Sequence, residues 1–200
     1  MSNTKCHIGL RAIVLASAAV LGSAGLAEAT VVWVPNANIP VNFIGTQGIF
    51  LDVVTGATAL SSAGVPGWDV RAFNGPALQT PVGGGVMSSA SEGGLLNLSV
   101  GTLINGNGPW DTGVATGQLS DVGQIRLFGF KFFNESAAQT QFGWLRVRLP
   151  GFNTPGEIIG YAYDDAGLFI LAGTNASVPT PGALAMLVGA MGFAGRRRRR

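Results

Sequence analysis

The sequence predicts an all-β protein. The expected body is one antiparallel β-sandwich or jelly-roll-like domain, carried between an N-terminal signal helix and a C-terminal hydrophobic helix. Three observations predict it. Short runs of apolar, β-branched and aromatic residues alternate with a period of two; clusters of Gly, Pro, Asn and Ser interrupt them at close spacing; and no stretch of the body keeps a 3.6-residue period. A chain of 200 residues is long enough for one such core.

The first element is not part of that core. Lys5, His7 and Arg11 make a basic start, residues 12–26 are apolar and helix-compatible, and Ala27-Glu28-Ala29 sets small residues at the two positions that matter before a cut. Residues 1–29 therefore read as a secretory signal peptide, with Thr30 the first residue of the exported chain. An uncut anchor is the other reading, but the apolar run is shorter than the ~20 residues a spanning helix needs. Removal takes away Cys6 and His7, the only cysteine and histidine in the sequence. The exported body then has no disulfide and no thiolate or imidazole to act as nucleophile, base or metal ligand.

The body, residues 30–176, supplies the strands. Candidate runs are 48–54 (GIFLDVV), 67–73 (GWDVRAF), 95–100 (LLNLSV), 124–133 (QIRLFGFKFF), 141–150 (QFGWLRVRLP), 157–164 (EIIGYAYD) and 168–172 (LFILA). Turn signals separate them at 35–40, 61–67, 74–76, 82–85, 105–109 and 150–156. Within 141–150, Leu145, Val147 and Leu149 share one face, and Phe142, Trp144, Arg146 and Arg148 share the other. Residues 124–133 are apolar on both faces except at Arg126 and Lys131, as expected of a strand covered on both sides over part of its length.

The last element, residues 177–200, reads as a sorting tail. Pro179 and Pro181 keep the chain extended, and Pro181 suits the first turn of a helix behind Thr180. Residues 182–195 are apolar or small, and five arginines follow. A basic cluster at the end of an apolar helix stays on the cytoplasmic side, so the two ends agree on the topology: body out, arginines in. Fourteen residues at about 1.5 Å each fall short of a hydrocarbon core of about 30 Å, which suits a handle held for processing better than a permanent anchor. A single-span tail anchor is the bland alternative.

Val178-Pro179-Thr180-Pro181, the apolar segment and Arg196, Arg197, Arg198, Arg199 and Arg200, in that order, resemble the PEP-CTERM sorting signal of Gram-negative bacteria, with Thr180 where the usual tetrad has glutamate. The resemblance implies an exosortase-type membrane processing enzyme as partner and transient residence in the inner membrane. It further implies a final place in the cell envelope or outside the cell, in association with exopolysaccharide and biofilm. A second resemblance covers Gly129 to Phe132, Phe142 to Trp144, Tyr161 to Tyr163 and Ile170 to Gly173, which is similar to a recurrent body module of proteins with that tail. It carries no assigned activity.

Charge and motifs narrow the chemistry. The whole chain has a formal charge of +2, but between residues 30 and 178 five basic residues face nine acidic ones, a net of −4. An exported acidic body gives no footprint for nucleic acid. Asp111-Thr112-Gly113 spells an aspartic-protease tripeptide, but that chemistry needs two carboxylates sharing a proton, and no second copy occurs; an Asx turn is the plainer reading. Asp164-Asp165, with Asn105, Asn107 and Asp111, offers oxygen ligands suited to calcium, set against a solvated turn. Residues 83–94 contain glycines without the spacing of a phosphate cradle, and the Asn97, Asn134 and Asn175 sequons read as accidental. The Phe142, Trp144, Arg146 and Arg148 stripe is the candidate ligand face, for sugar rings or an anionic polysaccharide, against a packed face with snorkelling arginines.

The expectation from sequence is an exported protein that is not an enzyme and needs no cofactor or metal, with a β body acting at the surface or in the matrix. The alternative is a secreted glycan-binding or glycan-active domain of lectin-like build. A cleft lined by Trp68, Trp110 or Trp144 with two carboxylates favours that alternative, since glycosidases work through carboxylate pairs.

Overall fold

The computed structural model describes residues 30–41, 48–73, 77–89, 94–116, 123–148 and 155–175. The signal cleavage residues Ala27 and Ala29, the Val178–Pro181 tetrad and the Arg196–Arg200 cluster lie outside the described residues, as does Leu149. Among the described residues there is no α-helix, and the one helical turn is a 3₁₀ turn at Ser62–Gly64, inside a segment expected as plain turn.

Strands take up the rest of the regular structure: β1 (Val31–Val34), β2 (Ile39–Val41), β3 (Ile49–Leu51), β4 (Thr58–Ala59), β5 (Val70–Phe73), β6 (Ala77–Gln79), β7 (Gly85–Met87), β8 (Leu103–Asn105), β9 (Trp110–Asp111), β10 (Val114–Thr116), β11 (Ile125–Asn134), β12 (Gln139–Arg148), β13 (Gly156–Asp164) and β14 (Phe169–Leu171). Seven of them form one sheet in the order β1-β13-β12-β11-β7-β9, with β2 also paired to β13. Five form a second sheet, β10-β6-β5-β3-β4, and β8 and β14 make a two-stranded ribbon. Every ladder between these strands is antiparallel. The long alternating runs became the long strands β11, β12 and β13. The short strands β1, β2, β4, β6, β7, β8, β9 and β10 were not anticipated, and residues 95–100 form no ladder strand.

The period of two decides what each face buries. Phe128, Phe130 and Phe132 of β11, Leu145 and Val147 of β12, and Tyr161 and Tyr163 of β13 point to one side of the large sheet, joined by Ile158 from beyond a bulge in β13. They meet Ile49, Leu51, Val70, Ala72, Leu78 and Ala115 of the five-stranded sheet in one shared core. The opposite side of the large sheet buries Met87, Phe142, Trp144 and Ala162 under Ile104 and Ile170 of the ribbon and Leu98 of the incoming loop. The large sheet is thus the middle of three layers. That explains why its strands read as apolar on both faces where they are covered.

Gly143 shows how tightly the middle layer is packed. A side chain there would begin 2.4 Å from Phe130 Cζ and 2.6 Å from the Ala162 carbonyl oxygen. Only glycine lets the Phe130 ring lie across β12. Ala162 does the same service for the other face: its small side chain, fully buried, lets the ribbon settle on β13.

Candidate functional site

Two concavities lie near opposite ends of the β11–β12 hairpin. The first is a groove of about 510 Å³ on the ribbon side of the large sheet. Its floor follows the ladder. Trp33, Ala162 and Trp144 stand in one row across β1, β13 and β12, and the next row holds Gly160 and Arg146, with Leu127 opposite Arg146. A bulge follows, where β12 steps from Arg146 to Val147 while β13 steps from Gly160 to Ile158. Gly160 is obligatory: a side chain would begin 2.7 Å from the Val34 carbonyl oxygen as β1 turns away at Pro35. The wall opposite β1 is the 97–100 loop, tied to β11 by Leu98 N–H to the Leu127 carbonyl at 2.8 Å and Leu127 N–H to Asn97 Oδ1 at 3.3 Å.

The lining is aromatic and basic. Trp144 is 4% exposed, its indole N–H fixed on the Thr174 carbonyl at 3.0 Å, so it is a floor rather than a platform. Trp33 is 45% exposed on the edge strand. Arg126 and Arg146 supply positive charge, and among the described residues no carboxylate lines the groove.

The second concavity, about 480 Å³, lies by the β11–β12 turn and is lined by Trp68, Asp69, Phe133, Glu135 and Thr140, with Pro81 to Gly83 at its side. Trp68 stands edge-on to Phe50, ring centroids 4.9 Å apart. Asp69 is buried, and its Oδ2 accepts the Val53 N–H at 2.9 Å. Burial raises its pKa to about 7, with the Asp52 and Glu135 charges adding and the Val53 N–H opposing. Two carboxylates in unlike settings, one pushed up to about 7 by burial and one exposed, are the arrangement from which acid–base roles separate.

The stripe expected on β12 is divided by the fold. Phe142 and Trp144 are buried beneath the ribbon, at 6% and 4% exposure, so neither presents a ring for stacking. Arg146 is exposed over the groove, and Arg148 is half-buried and ion-paired with Glu157. Trp110 is also in use, with the Lys131 ammonium 5.2 Å from its ring and its N–H on the Asn105 carbonyl.

The carboxylates considered for calcium are engaged by the chain itself. Asp164, fully buried, accepts the N–H groups of Ala166, Leu168 and Phe169, and Asp165 Oδ1 accepts the Thr30 N–H. Asn105 Oδ1 accepts the Asn107 N–H, and Asp111 Oδ1 accepts the Gly113 N–H in an Asx turn. Among the described residues no three of His, Cys, Asp or Glu stand close enough to hold a metal ion. Asn134, in one of the sequons, is buried with its amide on Gln141 Oε1.

Sequence reasoning missed Trp33 as a groove residue and the Asp69–Glu135 neighbourhood. Trp33 was legible: VVWV directly after the expected cut is β-branched with one aromatic, which alternation puts on one face. The carboxylates lie far apart in sequence and meet only through the packing of the five-stranded sheet against the hairpin. Compared with known proteins, the chain matches no family model, no curated protein and no solved structure.

Proposed function

We propose that the protein is exported, delivered to the envelope or extracellular matrix by its C-terminal sorting tail, and works there as a non-catalytic β-sandwich component in a polysaccharide-rich setting. The observation that carries this reading is the agreement between the ends of the β structure and the expected processing points. Among the described residues the first strand begins at Val31, just after the expected cut, and the last ends at Leu171, short of the Val178-Pro179-Thr180-Pro181 tetrad. Two sheets closing on one core support the sandwich description. An exosortase-type enzyme in the inner membrane is the expected processing partner. Mass spectrometry of protein recovered from outside the producing cell should find Thr30 first and no Arg196–Arg200; an intact arginine tail on that material counts against processing.

A secreted glycan-handling domain is the second reading, and two observations favour it. Trp33, Arg126 and Arg146 surround a groove sized for a few sugar units, and Trp68 shares a concavity with Asp69 and Glu135. Aromatic and guanidinium groups together suit an acidic polysaccharide, through stacking and charge. A glycan array probed with the exported protein separates the readings. Retention of one polysaccharide promotes the second, and release of reducing ends would move it on to glycan cleavage.

A further inference from the structure

Thr30 is held by Asp165. The Thr30 N–H donates to Asp165 Oδ1 at 2.8 Å, and the Asp165 N–H donates to the Thr30 carbonyl at 3.1 Å. This clasp extends the β1–β13 ladder one step past the Val31–Asp164 pair. Asp165 is itself braced, because its carbonyl accepts the side-chain amides of Gln139 and Gln141, each at 2.7 Å. Tyr163 and Asp164 on β13 are the titratable groups that feel its charge, and β12 faces it with those two uncharged amides.

We propose that Asp165 is the receptor for the N-terminal ammonium created when the leader is cut between Ala29 and Thr30, so that maturation replaces an uncharged amide donor with a cation and turns the hydrogen bond into an ion pair pinning the edge strand β1. The inference rests on the export reading above. Hydrolysis by an export endopeptidase adds one water across the Ala29–Thr30 amide. The C–N bond breaks, a C–O bond forms, Ala29 leaves as a carboxylate, and the Thr30 nitrogen becomes a primary amine that takes up the proton. That nitrogen already lies at hydrogen-bond distance from a carboxylate oxygen, so no rearrangement is needed. The carboxylate then meets a full positive charge in place of an amide N–H, which adds direct Coulomb attraction to a bond whose acceptor is already charged.

The geometry is specific to this cut. A cut two residues upstream leaves Thr30 N an amide and carries the ammonium away from Asp165, so the contact reads the position of cleavage as well as its occurrence. Edge strands and chain ends are where sheets fray first, so a charge placed here acts where local opening begins.

The test uses the exported, processed protein. The α-amine is titrated by pH-dependent labelling with an amine-reactive reagent, read by mass spectrometry at the N-terminal peptide. Lys131, the one lysine outside the leader, serves as internal reference. An unpaired α-amine titrates at about 7.7–8.0. With Asp165 in place it should titrate about one unit higher and label about tenfold more slowly near neutrality. Asp165→Asn keeps an acceptor oxygen and should return the amine to its ordinary value without changing Lys131. A second variant inserts Gly-Ser between Ala29 and Thr30, which moves the ammonium away while leaving Asp165 intact; it too should titrate normally. Chains that begin at Thr30 but carry an unshifted amine, or one indifferent to both changes, overturn the pairing alone. Chains that begin elsewhere overturn the expected cut.

Discussion

At one end of the β11–β12 hairpin stand Arg126, Arg146 and Arg148; by the other stand Asp69, Glu135, Asp164 and Asp165. Ten paired residues separate the ends, about 30 Å of strand. The two ends use their charges differently. At the acidic end three of the four carboxylates accept from the chain's own N–H groups: Asp164 from three, Asp69 from Val53, Asp165 from Thr30. At the basic end Arg146 is exposed over an open groove whose described lining holds no carboxylate. The acids are built into the fold, whereas the groove's charge faces outward. Substitutions at the acidic end should therefore register mainly as stability, and substitutions in the groove mainly as binding.

The largest stability effect is expected at Asp164. Asp164→Ala strips the acceptor from Leu168 N–H at 2.6 Å and from Ala166 and Phe169 N–H at 3.2 Å each, in a turn where the carboxyl is fully buried. Leaving such donors unpaired should cost about 2–4 kcal/mol in urea unfolding. Asp164→Asn, which keeps one acceptor oxygen, should lose less. A loss under about 0.5 kcal/mol for the alanine variant would erase the contrast between the two ends.

Asp69 should give the next largest effect, with a pH signature. Its folded pKa is raised from 3.8 to about 7, chiefly by burial. The folded protein therefore binds more protons than the unfolded chain between those values, and stability falls as the pH rises across the window. The favourable contribution is fully present below about pH 4 and lost as the pH passes about 7. Asp164 is shifted in the same direction by burial and reinforces the trend. Asp69→Asn should flatten most of the slope and make the variant more stable than the parent at pH 8, by on the order of 2 kcal/mol. A parent whose midpoint does not change between pH 4 and 8 would contradict the burial argument.

Glu157 belongs to the basic end and should matter less. It pairs with Arg148 across β12 and β13, with the two side chains 25% and 43% exposed. Such surface pairs contribute about 0–1 kcal/mol, and salt weakens them. Glu157→Gln should shift the unfolding midpoint slightly at low salt and not at all in 0.5 M salt.

How much of this was legible in the sequence follows the length of the alternating pattern. The patterned runs gave the long strands β11, β12 and β13, and for β12 the faces as well; in β13 a bulge at Ile159 breaks the period of two. Residues 95–100 have the same alternation, and Leu98 does point inward. The segment nonetheless forms no strand, because its N–H groups go singly to Met87, Thr116 and Leu127 instead of along one ladder. Strands of two or three residues, such as β6 and β10, are too short to show a period. The sequence left the β12 stripe open between a ligand face and a packed face with snorkelling arginines, and Phe142 and Trp144 take the packed role. Alternation says which side chains share a face, and only the arrival of the β8–β14 ribbon decided that Phe142 and Trp144 would be covered while Arg146 would not. The acidic concavity depended on long-range packing throughout.

Arg146 should give the smallest stability effect and the sharpest separation of the two ends. Its side chain is exposed, beyond the part of the sheet the ribbon covers, and its neighbours in the row are Gly160 and Leu127. Arg146→Ala should leave the unfolding midpoint within about 0.5 kcal/mol of the parent, as surface changes away from buried networks do. If the groove takes an acidic polysaccharide, the same substitution should weaken retention on that polymer and flatten its salt dependence, because one fewer cation meets the anionic chain. Trp33→Ala should weaken retention without changing the salt dependence, because it removes a stacking surface and no charge. Two variants with the parent's stability and different salt profiles would tie binding to the groove. Equal retention by parent and both variants would show that the open arginine faces solvent only, and the contrast between the hairpin ends would then reduce to one of folding.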